Sequence, residues 1–300
     1  MSNYARLIRF VPRGSPSSSD NVALIGEPVD PSIDVGTAST VEVALFSGTS
    51  ILDPGQRTGE KMMVDRILSP LAPGEVGTIR CIGLNMRDIS RILFHLLRAD
   101  GVAVSAKNVP SLFLKPSTSL GDPYPAPTMI PKSFVKDHAA DYESEVAVII
   151  GKRCKNVSED EAMDYVLGFT AANDVSSRVA QFQQSQWCYS KSFDGACPIG
   201  PAMIHVSQVK HLEEITIKGF LNGKLVQESG LDDLIFSIPK IVSFLSQGTT
   251  LLAGTLIITG TPPGVGWSAE PRIFLKDGDE FRVHVSHGVG TLVNRFVEER

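Results

Sequence analysis

Apolar residues in this chain fall in short runs, separated by Gly, Pro, Ser and Asp, and few of the runs repeat at helical spacing. Tyr4–Val11, Val22–Ile25 and Val41–Phe46 predict three short strands, with the polar stretch Arg13–Asp20 as a loop or hairpin tip after the first. Met62–Leu71 mixes apolar and charged positions, and Pro70, Pro73 and Gly74 break it up. These features predict a small β-rich module over residues 1–75. It would join a larger domain, residues 76–300, near Pro73–Gly77.

From Ile79 the apolar runs lengthen. Ile79–Leu84 reads as a strand, and Met86–Leu97 as a helix with Ile89, Ile92, Leu93, Leu96 and Leu97 at three- and four-residue spacings. Val146–Ile150 is a continuous apolar run, as expected of a buried strand, and Leu167–Ala172 leads into a second. Ser158–Glu161 fits a capping box ahead of a short helix over Ala162–Leu167. Ser237 suits the N-cap of a helix running through Ile241, Val242, Phe244 and Leu245 to Gly248, with Pro239 tolerated in its first turn. Leu256–Thr259 predicts another strand, and Phe281–Val285 with Gly290–Val297 a terminal hairpin. Strands outnumber helices, so the expected fold is mixed α+β dominated by β.

Composition narrows the function classes. The chain has 300 residues, 42% hydrophobic and 20% charged, enough for a sizeable globular core. Its formal net charge is −5, and no Lys/Arg run stands out. That argues against nucleic acid or an anionic membrane as the main partner. No apolar run approaches the roughly 18–20 residues of a membrane span, and the N-terminus does not read as a signal peptide. Cys81, Cys154, Cys188 and Cys197 form no CxxC pair. They read as free, packed thiols in a reducing compartment, so the expected location is cytoplasmic.

The segment Asp141-Tyr-Glu-Ser-Glu145 carries the most chemistry. Glu143 and Glu145 are two apart on a predicted strand and so share a face. The next residues are wholly apolar. Two carboxylates held side by side repel, and burial sharpens the conflict. A hard divalent cation with oxygen ligands would resolve it. Asp174 supplies a third carboxylate at the end of the second buried strand. The alternative is a solvated strand end.

Five phrases then stand in order: the acidic segment, Ala172-Asn-Asp-Val-Ser-Ser-Arg178, Lys191-Ser-Phe-Asp194, Cys197-Pro-Ile-Gly-Pro201 and Thr259-Gly-Thr-Pro-Pro-Gly-Val-Gly266. Together they resemble the fumarylacetoacetate hydrolase family, most closely the branch with a small N-terminal module that acts on acylpyruvates or oxaloacetate. The resemblance implies a β-roll of mixed sheets around the site, usually in a homodimer. It implies that Glu143, Glu145 and Asp174 hold one Mg²⁺ or Mn²⁺ per subunit. It also implies that Gln181 orients a water or substrate oxygen, with Arg178 beside it. Lys191 would pair with a substrate carboxylate or enolate, and Thr261 and Asn85 would contact substrate. Other readings stay open: Arg178 as a structural ion pair, Lys191 as a surface lysine, Thr261 as a turn residue.

One departure bears on the reaction. Hydrolytic members that this sequence resembles carry a His and, three residues later, a Glu on a short helix over the site, where the pair activates water. Here those positions are Ile89 and Ile92, after Gly83-Leu-Asn-Met86. Isoleucine moves no proton, and an apolar lid face would suit a bulkier or polyketide-like diketone. His95 and His138 are the candidate replacement bases. The expected activity is therefore a metal-dependent lyase or isomerase step through the enolate of a 2-oxo acid or 1,3-dicarbonyl, such as tautomerisation or decarboxylation of an oxaloacetate-like compound. The alternatives are a carbon–carbon bond hydrolase of acylpyruvate type and a catalytically retired ligand-binding homologue.

Overall fold

The computed structural model describes residues 3–15, 23–87, 109–135, 137 and 139–300. Most of the expected Met86–Leu97 helix, with Ile89, Ile92 and His95, lies outside them, as do His138 and most of the Arg13–Asp20 loop.

The fold is a β-dominated α+β architecture built around one wholly buried strand. Ser144–Ile150 pairs antiparallel with Val166–Asn173 on one edge and with Leu256–Ile258 on the other. A strand flanked on both edges and covered on both faces has no solvated side, which is why its sequence is a continuous apolar run. This strand lies inside an eleven-stranded sheet whose far edge is Ser111–Lys115. The N-terminal strands Arg6–Pro12, Leu24–Pro28, Glu42–Phe46 and Arg57–Leu68 join the same sheet, through pairing of Arg6–Pro12 with Cys197–His205. Their apolar residues share cores with the rest of the chain. Leu7, Ile25 and Phe46 pack in one cluster with Cys81, Ile149 and Ile199.

A five-stranded sheet covers the central strand. Its order is Lys224–Gly230, Thr216–Leu221, Glu280–Val285, Gly290–Glu298 and Pro127–Ile130. Ile217, Phe281, Leu292 and Phe296 meet Val146, Val148 and Phe169 in the largest core. The first hairpin turns at Asn222-Gly223, both with positive φ (49° and 81°). That is the backbone of a two-residue hairpin turn, which Asn-Gly adopts at little cost. The terminal hairpin forms as expected. The helix Ile238–Ser246 buries Ile238, Ile241, Val242 and Leu245, and Ser237 caps it by accepting from Lys240 N.

Two expectations change. Ser158 N and Oγ donate to Glu161 Oε2, at 3.3 and 2.7 Å, but only a 3-10 turn over Ala162–Tyr165 follows. Strand pairing opposite Ile150 claims the chain from Val166. Met62–Leu68, most of the mixed Met62–Leu71 run, belongs to a twelve-residue strand, Arg57–Leu68, whose first half is exposed and polar. Among the described residues no helix is long and apolar enough to cross a membrane.

Candidate functional site

The register of the central strands creates the acidic cluster. Ser144 pairs with Asn173, so Glu143 and Asp174 lie across from each other, and Asp174 N donates to Glu143 O at 2.9 Å. Glu145 follows two positions on, with its side chain on the same face as Glu143. All three carboxylates are buried, and one oxygen from each lies within 4.8 Å of the others.

Isolated burial of three anions would be prohibitive, so cations surround them. Lys191 Nζ donates to Glu143 Oε2 and Asp174 Oδ2, both at 2.7 Å. Lys115 Nζ lies 2.6 Å from Asp174 Oδ1 and donates to Ala196 O at 2.7 Å. Arg178 bridges Asp141 and Glu143, with 2.8 Å contacts to each, and donates to Gln181 Oε1 at 2.9 Å. Glu145 accepts from the Gly260 amide and touches no cation among the described residues. Burial, then Asp174 and Glu143, hold its carboxyl well above the ordinary value. Burial also raises Asp174, but Lys115 and Lys191 outweigh it and bring that carboxyl below its usual value. Burial disfavours the charged form of Lys191, yet Asp174 and Glu143 win and its ammonium stays protonated above the ordinary range.

The Thr259–Gly266 turn forms the neighbouring wall, and two residues fix it. Gln227 Oε1 accepts from Ser144 N and Oγ, both at 2.9 Å, while its Nε2 donates to Thr261 Oγ1 and Pro262 O, both at 2.8 Å. Asp141 accepts from the backbone amides of Gly266 and Trp267, at 2.8 and 3.0 Å. Gly264 (φ +104°) is required here, because a Cβ would sit 1.8 Å from Val226 O.

Glu143, Glu145, Arg178, Gln181, Lys191 and Thr261 all line one cavity of about 280 Å³. Its other walls include Phe113, Trp187, Phe182 and Trp267. Trp187 packs edge-on to Phe113 and so close to Gly83 that a Cβ there would fall 2.4 Å from the indole. Lys191 is buried rather than a surface lysine, and Arg178 is indeed engaged in ion pairs.

The structure gives Asn85 a different situation from the expected substrate contact. Its Nδ2 donates to Phe236 O and Thr259 O, and its Oδ1 accepts from Phe236 N. The amide is spent on holding Thr259 and the 235–236 segment, and Asn85 is not among the cavity-lining residues.

Sequence reading missed Asp141 as a site residue, Lys115 and Gln227. Lys115 had one signal: a lone lysine in the apolar run Ser111–Lys115, on the face opposite Leu112 and Leu114.

The model of the fumarylacetoacetate (FAA) hydrolase C-terminal family matches residues 78–297, and the chain belongs to that family. The chain is 38% identical to caffeoylpyruvate hydrolase of Neonothopanus nambi, over 100% of this chain and 95% of that protein. It is 33% identical to the mitochondrial oxaloacetate tautomerase fahd2 of Xenopus laevis, over 97% of this chain and 90% of that protein. Among solved structures it is similar to 2-hydroxyhepta-2,4-diene-1,7-dioate isomerase from Mycobacterium marinum. That similarity has a TM-score of 0.76, 27% identity and coverage of 98% and 99% of the two chains.

Proposed function

We propose that this chain is a divalent-metal-dependent enzyme that stabilises the enolate of a 2-oxo acid or 1,3-dicarbonyl, acting as a tautomerase or decarboxylase of oxaloacetate-like compounds. The observation that carries this reading is the buried trio Glu143, Glu145 and Asp174, in which Glu145 touches no described cation. An all-carboxylate donor set in which one carboxyl touches no described cation fits a hard ion such as Mg²⁺ or Mn²⁺. When bound, such an ion would polarise the 2-oxo carbonyl and offset the charge of the enolate.

The protein's own groups do the rest in this reading. Lys191, kept protonated by its carboxylates and facing Phe113 at 5.2 Å, offers positive charge to a substrate carboxylate or enolate oxygen. Its Nζ would hand a proton to the carbon and recover one from the enol hydroxyl, so that tautomerisation leaves the lysine protonated as before. Gln181 Oε1 is held by Arg178, and its Nε2 has no partner among the described residues, which leaves it to bind a substrate oxygen. Thr261 Oγ1 already accepts from Gln227 and so donates its own proton to substrate. Arg178 and Asn85 act as positioning residues. Four free cysteines suit a reducing compartment such as the cytoplasm. A homodimer stays part of the proposal through family resemblance.

A second reading, carbon–carbon bond hydrolysis of an acylpyruvate, is favoured by the whole-length similarity to a caffeoylpyruvate hydrolase. It needs a base to activate water. His95 and His138 are its candidates, given isoleucine at positions 89 and 92.

The test is turnover of oxaloacetate, followed as enol absorbance and as pyruvate, with chelator and with Mg²⁺ or Mn²⁺ restored, beside an acylpyruvate. The expected result is chelator-sensitive loss of the enol that Glu145→Gln abolishes. Turnover indifferent to chelator and to Glu145→Gln would overturn the reading. Acylpyruvate cleavage abolished by His95→Ala would select the second.

A further inference from the structure

Asp141 stands two residues before Glu143, yet it does not line the cavity. It ends the two-residue strand Ala140–Asp141, which pairs with Ser176–Ser177 at the foot of the helix Arg178–Gln183. Its carboxylate is fully buried. Oδ1 accepts from the amides of Tyr142 and Gly266, both at 2.8 Å. Oδ2 accepts from Arg178 Nε at 2.8 Å and from the Trp267 amide at 3.0 Å.

These donors join two separate pieces of the cavity wall. Arg178, Gln181 and Phe182 come from the helix, and Trp267 from the turn Gly266–Ser268. Phe182 packs on Trp267 with ring centres 4.8 Å apart, so the two pieces also meet where both line the cavity. All three guanidinium nitrogens of Arg178 have partners. Nε is on Asp141, Nη2 lies 2.8 Å from Glu143 Oε1, and Nη1 donates to Gln181 Oε1 at 2.9 Å. Glu143 and Gln181 face the cavity, whereas Asp141 sits behind the wall, held there by three backbone amides.

The carboxylate is matched to this place. All four partners are donors, and an asparagine has one accepting oxygen and an NH2 group that would face donors. A glutamate would keep the charge but set it one methylene farther out. We infer that Asp141 is a positioning residue of the reaction: it locks the Arg178 guanidinium to the Gly266–Trp267 backbone and so fixes where Gln181 Nε2 meets a substrate oxygen. This rests on the proposed function and deepens it, because substrate placement then depends on a carboxylate outside both the trio and the cavity.

The experiment measures oxaloacetate turnover and Trp267 emission together. The chain has two tryptophans, so a Trp187→Phe background leaves Trp267 as the sole indole. Asp141→Asn should lower kcat/KM by about ten- to a hundredfold, the scale of a misplaced reactant contact, and should shift the Trp267 emission. Asp141→Glu should recover less than about threefold of that loss, whereas a role of charge alone would be rescued in full. In a Gln181→Met background Asp141→Asn should cost less than about threefold more, because its effect runs through Gln181. Arg178→Met leaves Asp141 its three backbone donors and so guards against an Asp141 variant that fails to fold. It should lose at least as much turnover as Asp141→Asn and leave the Trp267 emission unmoved. The inference is overturned by an unmoved emission in Asp141→Asn, by parental turnover in Asp141→Glu, or by a loss that multiplies in full with Gln181→Met. Arg178→Met within about twofold of the parent in kcat/KM would overturn it too. A parent that turns over no oxaloacetate would instead fail the proposed function, while the Trp267 emission still decides whether Asp141 holds the turn.

Discussion

Gln227 holds no position in the matched phrases, yet the structure makes it the clamp between the strand of the acidic cluster and the Thr259–Gly266 turn. Its amide orientation is unambiguous. Ser144 N can only donate and Pro262 O can only accept, so Oε1 faces the first and Nε2 the second. Nε2 must then donate to Thr261 Oγ1, which leaves the threonine proton free for the substrate contact proposed above. Gln227→Met preserves most of the volume and removes all four hydrogen bonds. Ser144 N, Ser144 Oγ and Pro262 O are left unpaired in a buried environment. At about 1–3 kcal/mol per unsatisfied group, the loss is at least about 3 kcal/mol. For a chain of this size that lowers Tm by about 6 °C or more. The catalytic consequence is separate. Thr261→Val and Gln227→Met should each lower kcat/KM for oxaloacetate by about tenfold, near the value of one hydrogen bond to a developing charge. The double variant should cost little more than either single change, because both remove the same oriented proton. Thermal melts and steady-state kinetics on the four proteins give the answer. Losses that multiply in the double variant, or a Gln227→Met melt within 1–2 °C of the parent (about 0.5–1 kcal/mol), would refute the reasoning.

The other predictions concern the buried charges and thiols. Lys115→Met removes the partner of Asp174 Oδ1 and should destabilise by about 3–5 kcal/mol, read as a lower Tm that Mn²⁺ partly restores; an unchanged melt would count against it. Glu145→Gln should weaken Mn²⁺ binding by at least about tenfold in calorimetry or electron paramagnetic resonance while leaving the fold intact, and unaltered affinity would remove Glu145 from the ligand set. Cys188, only half-buried, should be the thiol that reacts with a disulfide reagent in the native protein, all four reacting once it is unfolded. Burial pushes the Cys197 thiol up to about 12, so raising the pH from 7 to 9 should not expose it. Because its folded value is raised, its stabilising share is complete below the ordinary thiol range. That share is lost as pH climbs from there towards about 12, and Cys197→Ala should flatten that limb of a pH–stability profile.

Much of the fold was legible because local patterning and burial agreed. Val146–Ile150 is apolar throughout and Leu167–Ala172 nearly so because both faces of their strands are covered, and Ser237 with Pro239 marked the helix Ile238–Ser246 through its cap. The capping box at Ser158 misled because strand pairing from Val166 is worth more than a short helix. The Asn222-Gly223 turn was a readable hairpin signal that went unread, and with it the strand that carries Gln227.

The sequence by itself determined the chemistry of the acidic cluster. Closely spaced carboxylates before an apolar strand carry their electrostatic conflict wherever they are placed, and five ordered phrases identified the family. Only the tertiary structure decided how that conflict is balanced. Leu112 and Leu114 look like core residues and Lys115 like surface, yet the two leucines are 43% and 40% exposed while Lys115 is fully buried against Asp174. Alternation along a strand says which residues share a face, but not which face meets the core. Likewise Asn85 stands in a matched phrase, and only its distances to Phe236 and Thr259 show that its hydrogen bonds are spent on the scaffold. The partners of Asp174, Glu143 and Thr261 come from segments far apart in the chain, and their pairing exists only once the sheets have closed around them.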